Sequence, residues 1–240
     1  MFDIHSHFLP GMDDGAKNAA ESIELLESMK AQGCSCVIAT PHFYPESTTL
    51  SSFKKKFSQK FQLLSELIKD RDLPKIFPGC EAYYFNNISS CEDLGELCLN
   101  NSHFLLLELP RSGKITDSIL NSITDIYLNR GIVPIIAHIE RYMRYKNYHE
   151  LLDLVDSGYA RAQINASSFV KKREAKGVIA LIKDGIVSYI ASDAHSAKRR
   201  PVCLSLAYDT VEKELGAETK NKLINNSVAL AKEMGIDTVE

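Results

Sequence analysis

Short apolar runs recur along the chain, and each ends at or just before a polar residue suited to chemistry. The runs are rich in Ile, Val, Leu and Phe and have the length of buried strands in a parallel sheet. Seven such strands are predicted, and the polar residues at their ends are His5, His7, His42, Glu81, Glu108, His138, Asn165, Asp193 and His195. Parallel sheets carry functional side chains at the carboxyl ends of their strands, so we expect this set to meet at one rim.

Amphipathic helical stretches separate the predicted strands. Asn18 can cap a helix whose apolar residues form one stripe, and Gly33 closes it. Phe53, Phe57 and Phe61 share one face of the next helix. Further helices are predicted around residues 119–127, 151–155, 178–182, 204–215 and 218–234. Strand and helix alternate throughout, which predicts an α/β fold with right-handed crossovers and a closed or nearly closed barrel.

Length and composition favour a single domain over residues 1–240. Of the 240 residues 45% are hydrophobic, enough for a substantial core, and no linker or low-complexity tract divides the chain. The longest predicted loops are residues 41–49 and 84–102, and the second is a candidate lid or insertion. No apolar stretch reaches the length of a membrane span and the N-terminus lacks a signal-peptide pattern, so we expect a cytoplasmic protein without membrane insertion.

The charge pattern gives no reason to expect nucleic-acid binding, since the net charge is −3 and the pI is near 6.2. The basic runs at residues 54–56 and 171–173 are predicted to be solvated helix faces. Residues 198–200, Lys-Arg-Arg, differ because they follow Asp193 and His195 closely. Arg can bind phosphate with two parallel hydrogen bonds, so this segment is a candidate anion site.

The six cysteines show neither zinc-ribbon nor Cys-x-x-Cys spacing, and we expect reduced, mostly buried thiols. None is followed six residues later by Arg, so the phosphate-binding loop of cysteine-dependent tyrosine phosphatases is missing. Any phosphatase chemistry in this chain would therefore depend on metal.

A metal site is indicated first by His5 and His7, which share a face of an extended strand and can bind one ion together. A single buried histidine is more often a structural polar group, but ligand-type residues at the ends of seven strands jointly favour a metal cluster. His103 and His149 fall outside that pattern and are predicted to be structural or surface residues. Three further residues stay open as ligands or loop residues: Asp13, Glu140 and Asn165.

A family resemblance is carried by seven segments, which read DIHSHFLPGMDDGAK, ATPH, GCE, LELP, AHIERY, INASS and SDAH. In order and spacing they resemble the motifs of the PHP (polymerase and histidinol phosphatase) superfamily. More closely, the chain is similar to the bacterial protein-tyrosine phosphatases of the CpsB/YwqE type, which are associated with capsular and exopolysaccharide operons. The resemblance runs from residue 2 to about residue 201, and the LPGxDDGA opening is its most specific part. Ile139 departs from it, because the family commonly has Pro there.

The resemblance implies a distorted (β/α)7 TIM-like barrel with three divalent ions at the carboxyl ends of its strands. The ions are usually manganese in this group, with iron, zinc and magnesium as alternatives. The ligands of the first ion would be His5, His7, Glu81 and Asp193, with Glu81 bridging to the second ion. The other ligands of the second ion would be Glu108 and His138. Those of the third ion would be Asp14, His42 and His195.

The same resemblance implies a metal-dependent protein-tyrosine phosphatase that uses an activated hydroxide. Arg141 and Arg200 match the phosphate-binding arginines of the family, and Arg199 is the alternative to Arg200. The expected partner is the phosphorylated, tyrosine-rich tail of a bacterial tyrosine kinase that regulates polysaccharide export. The alternatives are a small-molecule phosphomonoesterase such as a histidinol-phosphate phosphatase, an amidohydrolase, and a metal-stabilised regulatory protein without activity. Amidohydrolases typically bridge two metals with a carbamylated lysine at the fourth strand, where this chain has Glu108.

Overall fold

Parallel strands alternate with helices along the part of the chain that the computed structural model describes, residues 1–238. The strands are β1 (Phe2–Ser6), β2 (Cys36–Ala39), β3 (His42–Phe43), β4 (Lys75–Pro78), β5 (Glu81–Tyr83), β6 (Phe104–Glu108), β7 (Val133–Ile136), β8 (Arg161–Asn165) and β9 (Tyr189–Ala191). The helices are α1 (Ala19–Ala31), α2 (Leu50–Ile68), α3 (Asp117–Arg130), α4 (Tyr148–Asp156), α5 (Lys172–Lys183), α6 (Leu204–Leu215) and α7 (Ala217–Glu233). Two short 3-10 helices follow β7 and β8, at Ile139–Tyr142 and Ala166–Phe169.

The strands form a curled parallel sheet in two hydrogen-bonded parts. One part has the order β1-β2-β4 and the other the order β3-β5-β6-β7-β8-β9. The end of β1 also meets the segment after β9, since the N–H of His7 donates to the carbonyl of Ala194 at 2.9 Å and the N–H of Asp193 donates to that of His5 at 2.8 Å. The first and last strands are therefore neighbours.

The predicted α/β class and parallel sheet are confirmed, but a count of seven β/α units is not. Two of the predicted strands are each divided into two shorter ones. The first is divided into β2 and β3, and the second into β4 and β5. Pro41 lies at the first division and Pro78 just before the second. Proline has no N–H to continue a ladder, so the hydrogen bonding shifts from one part of the sheet to the other at these points.

Side-chain caps fix the start of three helices. The side chain of Asn18 accepts a hydrogen bond from the N–H of Glu21 at the start of α1, as the sequence predicts. Thr49 and Thr116 cap α2 and α3 in the same way. Each of these caps therefore fixes the residue at which its helix begins.

Strand alternation divides the buried residues into two apolar clusters. In β6, Leu105 and Leu107 belong to the larger cluster, which packs the strands against the surrounding helices. Phe104 and Leu106 belong to a smaller cluster that also contains Leu230 of α7. Successive side chains of a strand point to opposite faces, so Glu108 projects to the side of the smaller cluster, at the carboxyl end of the strand.

Residues 84–102 are a packed insertion and not a lid. Three 3-10 helices in this segment bury the side chains of Leu94, Leu97 and Leu99 in the core. The guanidinium of Arg130 donates to the carbonyl oxygens of Ser89 at 3.0 Å and Cys91 at 2.8 Å. A segment anchored by buried leucines and by Arg130 of α3 is not free to open over a site. Within residues 1–238, no helix combines the length and apolarity that crossing a bilayer requires.

Candidate metal centre

The carboxyl ends of the strands bring together five histidines and four carboxylates. They are His5, His7, Asp14, His42, Glu81, Glu108, His138, Asp193 and His195. All of them are buried except His42, which is partly exposed, and Asp14, whose side chain is 67% exposed. The structure therefore gathers all nine predicted metal ligands into one cluster.

Three residues of the cluster, His5, His7 and Glu81, place their ligand atoms close enough together to hold a single ion. The Nε2 atoms of His5 and His7 are 3.1 Å apart, and each lies 3.4 Å from Oε2 of Glu81. Oδ1 of Asp193 lies 3.6 Å from the first of these nitrogens and 3.5 Å from the second. Ligands at right angles around one ion, each about 2.1 Å from it, are about 3.0 Å apart. His5, His7 and Glu81 are therefore spaced as ligands of one cation, and Asp193 lies beside the two ring nitrogens.

Glu81 connects this group to a second one. Its Oε1 lies 2.8 Å from Nε2 of His138, and that nitrogen is 3.7 Å from Oε1 of Glu108. Its Oε2 lies 2.8 Å from Nδ1 of His42. Because both carboxylate oxygens face ligand-type nitrogens, Glu81 is placed to bridge two cations.

A third group lies on the open side of the cluster. Oδ1 of Asp14 is 3.3 Å from Nε2 of His195 and 3.5 Å from Nε2 of His42. The two ring nitrogens of His42 thus face different groups, since Nδ1 points toward Glu81 and Glu108. The sequence assigned His42 to the third group alone, whereas the structure places it between the second and the third.

Several buried atoms of the cluster lack a hydrogen-bond partner. They are Nδ1 of His138, Oε2 of Glu108 and Nε2 of His195, together with Nδ1 of His42 and Oε2 of Glu81, which face each other at 2.8 Å without the geometry of a hydrogen bond. A buried polar atom without a partner costs about 1–3 kcal/mol, and more if it is charged. Divalent cations would pair with these nitrogen and oxygen lone pairs, so the donor set fits metal binding.

The carboxylates of the first group are held in their ionised form. Burial by itself would raise the pKa of Glu81, but the charge of His5, the hydrogen bond from His138 and the nearby ring of His42 hold that pKa well below its usual range. Burial is likewise outweighed at Asp193, where His5 and His7 lower the pKa of the carboxyl. Ionised carboxylates are the form that binds metal.

The histidines divide into neutral and protonated rings. Burial lowers the pKa of His138 to about 4, and burial with the neighbouring charge of His7 lowers that of His195 to about 3. Both rings are neutral near pH 7 and keep a lone pair for a cation. At His7 burial is outweighed by Asp13, which raises the pKa to about 10. A metal that binds His7 therefore displaces a proton.

Asp13 lies outside the three groups and is hydrogen-bonded to two of the candidate ligands, His7 and His42. It accepts hydrogen bonds from Nδ1 of His7 at 2.7 Å, from the N–H of Gly15 at 2.9 Å and from the N–H of His42 at 2.9 Å. With Nδ1 engaged, His7 presents Nε2 to the cluster. The loop lies directly on β1, and a Cβ at Gly15 would be 2.0 Å from the carbonyl oxygen of His7.

Gln163 is a buried member of the site that sequence reasoning missed. Its side-chain oxygen accepts from Nδ1 of His5 at 3.1 Å and from the N–H of His138 at 2.8 Å. Its amide nitrogen donates to Asn165, whose own amide donates to Asp193. Asn165 is therefore a hydrogen-bonded link and not one of the grouped ligands. The signal in the sequence was a polar residue two positions before Asn165, on the same face of β8.

Two arginines meet above the cluster. Nη2 of Arg141 and Nη2 of Arg200 each donate to Oδ2 of Asp193 at 2.6 Å. Both line a cavity of about 780 Å³, hereafter the first cavity, together with His42 and Glu108. Arg199 is exposed and does not line it, so the structure places Arg200 at the site and Arg199 outside.

Glu140 lies beside Arg141 but faces away from the metal ligands. Its Oε1 accepts from the N–H of Asn165 at 3.1 Å and from the hydroxyl of Ser168 at 2.9 Å. Burial raises its pKa to about 7. Glu140 therefore ties the turn after β7 to the turn after β8 and lies in none of the three groups.

Aromatic side chains wall the first cavity. Tyr44, Tyr83 and Phe53 line it, with the Tyr44 ring 5.0 Å from the His42 ring and 5.2 Å from the Tyr83 ring. No cysteine lines it, and the six cysteines are free thiols, four of them buried. The lining of the cavity thus combines aromatic side chains with arginines and metal-ligand side chains, an arrangement that suits an aromatic phosphate ester.

Comparison with known proteins places this architecture among capsule-synthesis proteins. The CpsB/CapC family, described as capsular polysaccharide synthesis, matches residues 1–231. The tyrosine-protein phosphatase YwqE of Bacillus subtilis is 32% identical, over 98% of this chain and 93% of its own. The tyrosine-protein phosphatase CpsB of Streptococcus agalactiae is 30% identical, over 97% of this chain and 98% of its own.

Solved structures agree with these relatives. One similar chain belongs to the crystal structures of YwqE from Bacillus subtilis and CpsB from Streptococcus pneumoniae, described as unique metal-dependent tyrosine phosphatases. The match has a TM-score of 0.83 and 29% sequence identity, and it covers 100% of this chain and 97% of the other. The histidinol phosphate phosphatase of Lactococcus lactis, at a TM-score of 0.54 and 17% identity, shares the fold and covers 98% of this chain and 94% of its own.

Proposed function

The chain belongs to the CpsB/CapC family of capsular polysaccharide synthesis, and on that premise we propose that it is a metal-dependent protein-tyrosine phosphatase. The full-length relatives that carry this activity in their names support the proposal. The observation that carries it is geometric. Arg141 and Arg200 both donate to Asp193 of the metal-ligand cluster and line one cavity together with aromatic side chains.

Three divalent ions, with manganese as the first candidate, are part of this proposal. The first would be held by His5, His7, Glu81 and Asp193, the second by Glu81, Glu108 and His138, and the third by Asp14, His42 and His195. The bridging position of Glu81 and the unpartnered nitrogen and oxygen atoms of the cluster support it. Such ions, when bound, neutralise a phosphate dianion and activate a water molecule near neutral pH.

Arg141 and Arg200 would bind the non-bridging oxygens of the phosphate. Both side chains are partly exposed, 31% and 38%, so they reach the cavity while Asp193 holds their guanidinium groups in place. Their N–H groups are fixed donors aimed at a position where negative charge accumulates in the transition state. Neither has metal-ligand chemistry, so they would bind substrate alone.

Tyr44 and Tyr83 would contact the ring of the phosphotyrosine substrate. The two rings are 5.2 Å apart on the wall of the first cavity, a distance typical of aromatic pairs. The leaving group is a phenolate with a pKa of about 10, which departs more easily than an alkoxide. A dedicated acid is therefore not required, and none of the ionisable side chains needs that role.

The proposed partner is a phosphotyrosine-containing protein, namely the tail of a bacterial tyrosine kinase that regulates capsular or exopolysaccharide synthesis in the cytoplasm. Membership of a capsular polysaccharide synthesis family supports this choice.

We further infer a single domain built on a seven-unit barrel. The support is that two pairs of short strands each continue one predicted run and that β1 neighbours the end of β9.

The test is metal analysis of the purified protein followed by phosphate release from a substrate panel. The panel contains phosphotyrosyl peptides, the same peptides with phosphoserine, and histidinol phosphate. We expect metal-dependent release that is fastest with phosphotyrosyl peptides. Faster release from histidinol phosphate would favour the small-molecule phosphomonoesterase, whose fold this chain shares. Metal-replete protein that releases phosphate from none of them would refute the proposal and return the amidohydrolase and the inactive regulatory protein to consideration.

A further inference from the structure

A second cavity lies beside the first and shares Arg141 with it. Its volume is about 660 Å³, and Arg144, Ser167 and Arg173 also line it. Arg144 follows the 3-10 helix after β7, and Arg173 lies in the first turn of α5. The two cavities therefore adjoin at the side chain of Arg141.

Arg144 and Arg173 have no polar side-chain partner among the described residues. Both side chains are exposed, and within residues 1–238 neither makes an ion pair or a side-chain hydrogen bond. An isolated exposed arginine would be ordinary. Here two of them face the same concave surface next to a third, Arg141, in a chain whose net charge is −3.

In the part of the chain that the structure describes, neither acidic residue of the second cavity, Glu140 or Glu174, makes an ion pair with an arginine, although Oε2 of Glu140 is buried without a hydrogen-bond partner. Glu174 accepts a hydrogen bond from Lys171 at 3.2 Å. Glu140 accepts from Ser168 and from the backbone of Asn165. The arginine charges of the second cavity are therefore not neutralised by direct contact with either carboxylate.

Building on the proposed phosphatase function, we propose that the second cavity is a subsite for an anionic side chain of the substrate protein, located within a few residues of the phosphotyrosine and bound by Arg144 and Arg173. Guanidinium groups bind carboxylate and phosphate alike through paired N–H donors. The anion is therefore either an acidic residue or a second phosphotyrosine. An extended peptide advances about 3.3 Å per residue, so a short spacing spans two adjacent cavities.

The test compares two double variants that each remove two positive charges. R144A/R173A removes the charges that line the second cavity, whereas K172A/K176A removes two exposed charges of the same helix that do not line it. The substrates are phosphotyrosyl peptides of equal length in which Glu, Gln or a second phosphotyrosine is scanned through the flanking positions.

In the wild-type protein we expect kcat/KM to be about tenfold higher for the best anionic peptide than for its Gln counterpart, mainly through a lower KM, since charged contacts add to binding. R144A/R173A should reduce this ratio to about twofold or less, whereas K172A/K176A should retain it, and added salt should lower it in the wild type. Preference for both anions would indicate a general anion subsite. Preference for the doubly phosphorylated peptide alone would identify the source as phosphate.

Equal kcat/KM for the anionic and Gln peptides would overturn the subsite and leave the phosphatase function standing. An equal loss of the ratio in both double variants would also overturn it, because the effect would then be general charge. If no phosphotyrosyl peptide were hydrolysed, the phosphatase function would fail. Equilibrium binding of the same peptides with a non-hydrolysable difluorophosphonate in place of the phosphate would still decide the subsite, through weaker binding of the anionic peptide by R144A/R173A.

Discussion

Gln163 and His5 lie 158 positions apart in sequence, yet the side-chain oxygen of Gln163 is 3.1 Å from Nδ1 of His5. In a neutral histidine that donates from Nδ1, the lone pair is on Nε2, the atom that faces His7, Glu81 and Asp193. The carboxamide thus selects the tautomer of His5 that is competent to bind metal.

Replacement of Gln163 should therefore weaken metal binding without touching a ligand. Gln163→Leu removes the acceptor for His5 and for the N–H of His138, and we expect the concentration of metal needed for half-maximal activity to rise about 10- to 100-fold. Gln163→Glu keeps an acceptor for both and should retain more affinity. Metal titration of the chelator-treated variants measures this, and equal affinity of wild type and Gln163→Leu would show that the contact is only structural.

Removal of the bridging carboxylate should affect more than one ion. Glu81 faces His5 and His7 with one oxygen and His138 with the other, so Glu81→Ala should lower the metal content by more than one ion and abolish activity. Glu24→Ala, at an exposed position of α1, is the matched control. Elemental analysis and circular dichroism together check the result. Full metal content with normal turnover in Glu81→Ala would remove Glu81 from the assignment.

The arginines should contribute to catalysis and not to metal content. Arg141→Ala and Arg200→Ala should each keep their metal and lose about 2 kcal/mol or more of transition-state stabilisation, measured as kcat/KM. Lys at either position should rescue only in part, because it restores the charge without the paired donors. Arg199→Ala is the neighbouring control, since that side chain lies outside the first cavity, and should behave as wild type. Normal kinetics in both Arg141→Ala and Arg200→Ala would mean that metals alone hold the phosphate.

Chelation and cysteine replacement together distinguish a metal-dependent reaction from one that uses a cysteine thiol. Burial raises the pKa of the thiols of Cys34, Cys80 and Cys98, which keeps them protonated and unreactive. A chelator should abolish hydrolysis and added manganese should restore it, while replacement of the six cysteines by Ala or Ser should spare the chemical step if the protein folds. Inactivation by alkylation of a single cysteine, with the metals still bound, would contradict this.

The loop that carries Asp13 and Asp14 should depend on the absence of a side chain at Gly15. A Cβ there would lie 2.0 Å from the carbonyl oxygen of His7, so Gly15→Ala must displace the loop from β1. We expect loss of metal from the third group and reduced activity, with the other groups less affected. Gly95→Ala adds a Cβ that meets nothing within 4 Å and is the control. Metal content and activity equal to those of Gly95→Ala would show that the loop tolerates the shift.

The sequence by itself determined the parallel α/β class and which side chains gather at the carboxyl ends of the strands as candidate metal ligands. Apolar runs ending on His42, Glu81, Glu108 and His138 were sufficient, because the ends of parallel strands converge whatever the details of packing. That geometric rule is why the nine ligands could be listed before any contact was known. The exact number of strands could not be predicted in this way, because Pro41 and Pro78 interrupt the hydrogen bonding of a strand without interrupting its apolar pattern.

Only the tertiary structure decided which side chains touch across the curled sheet. It placed Gln163 against His5, turned Glu140 away from the metal ligands, and brought Arg200 and not Arg199 to Asp193. These contacts depend on the curvature that joins β1 to its distant neighbours and on the path of the loops. Periodicity along a chain fixes the face on which a side chain lies, whereas the partner it meets is fixed by how separate strands are brought together in space.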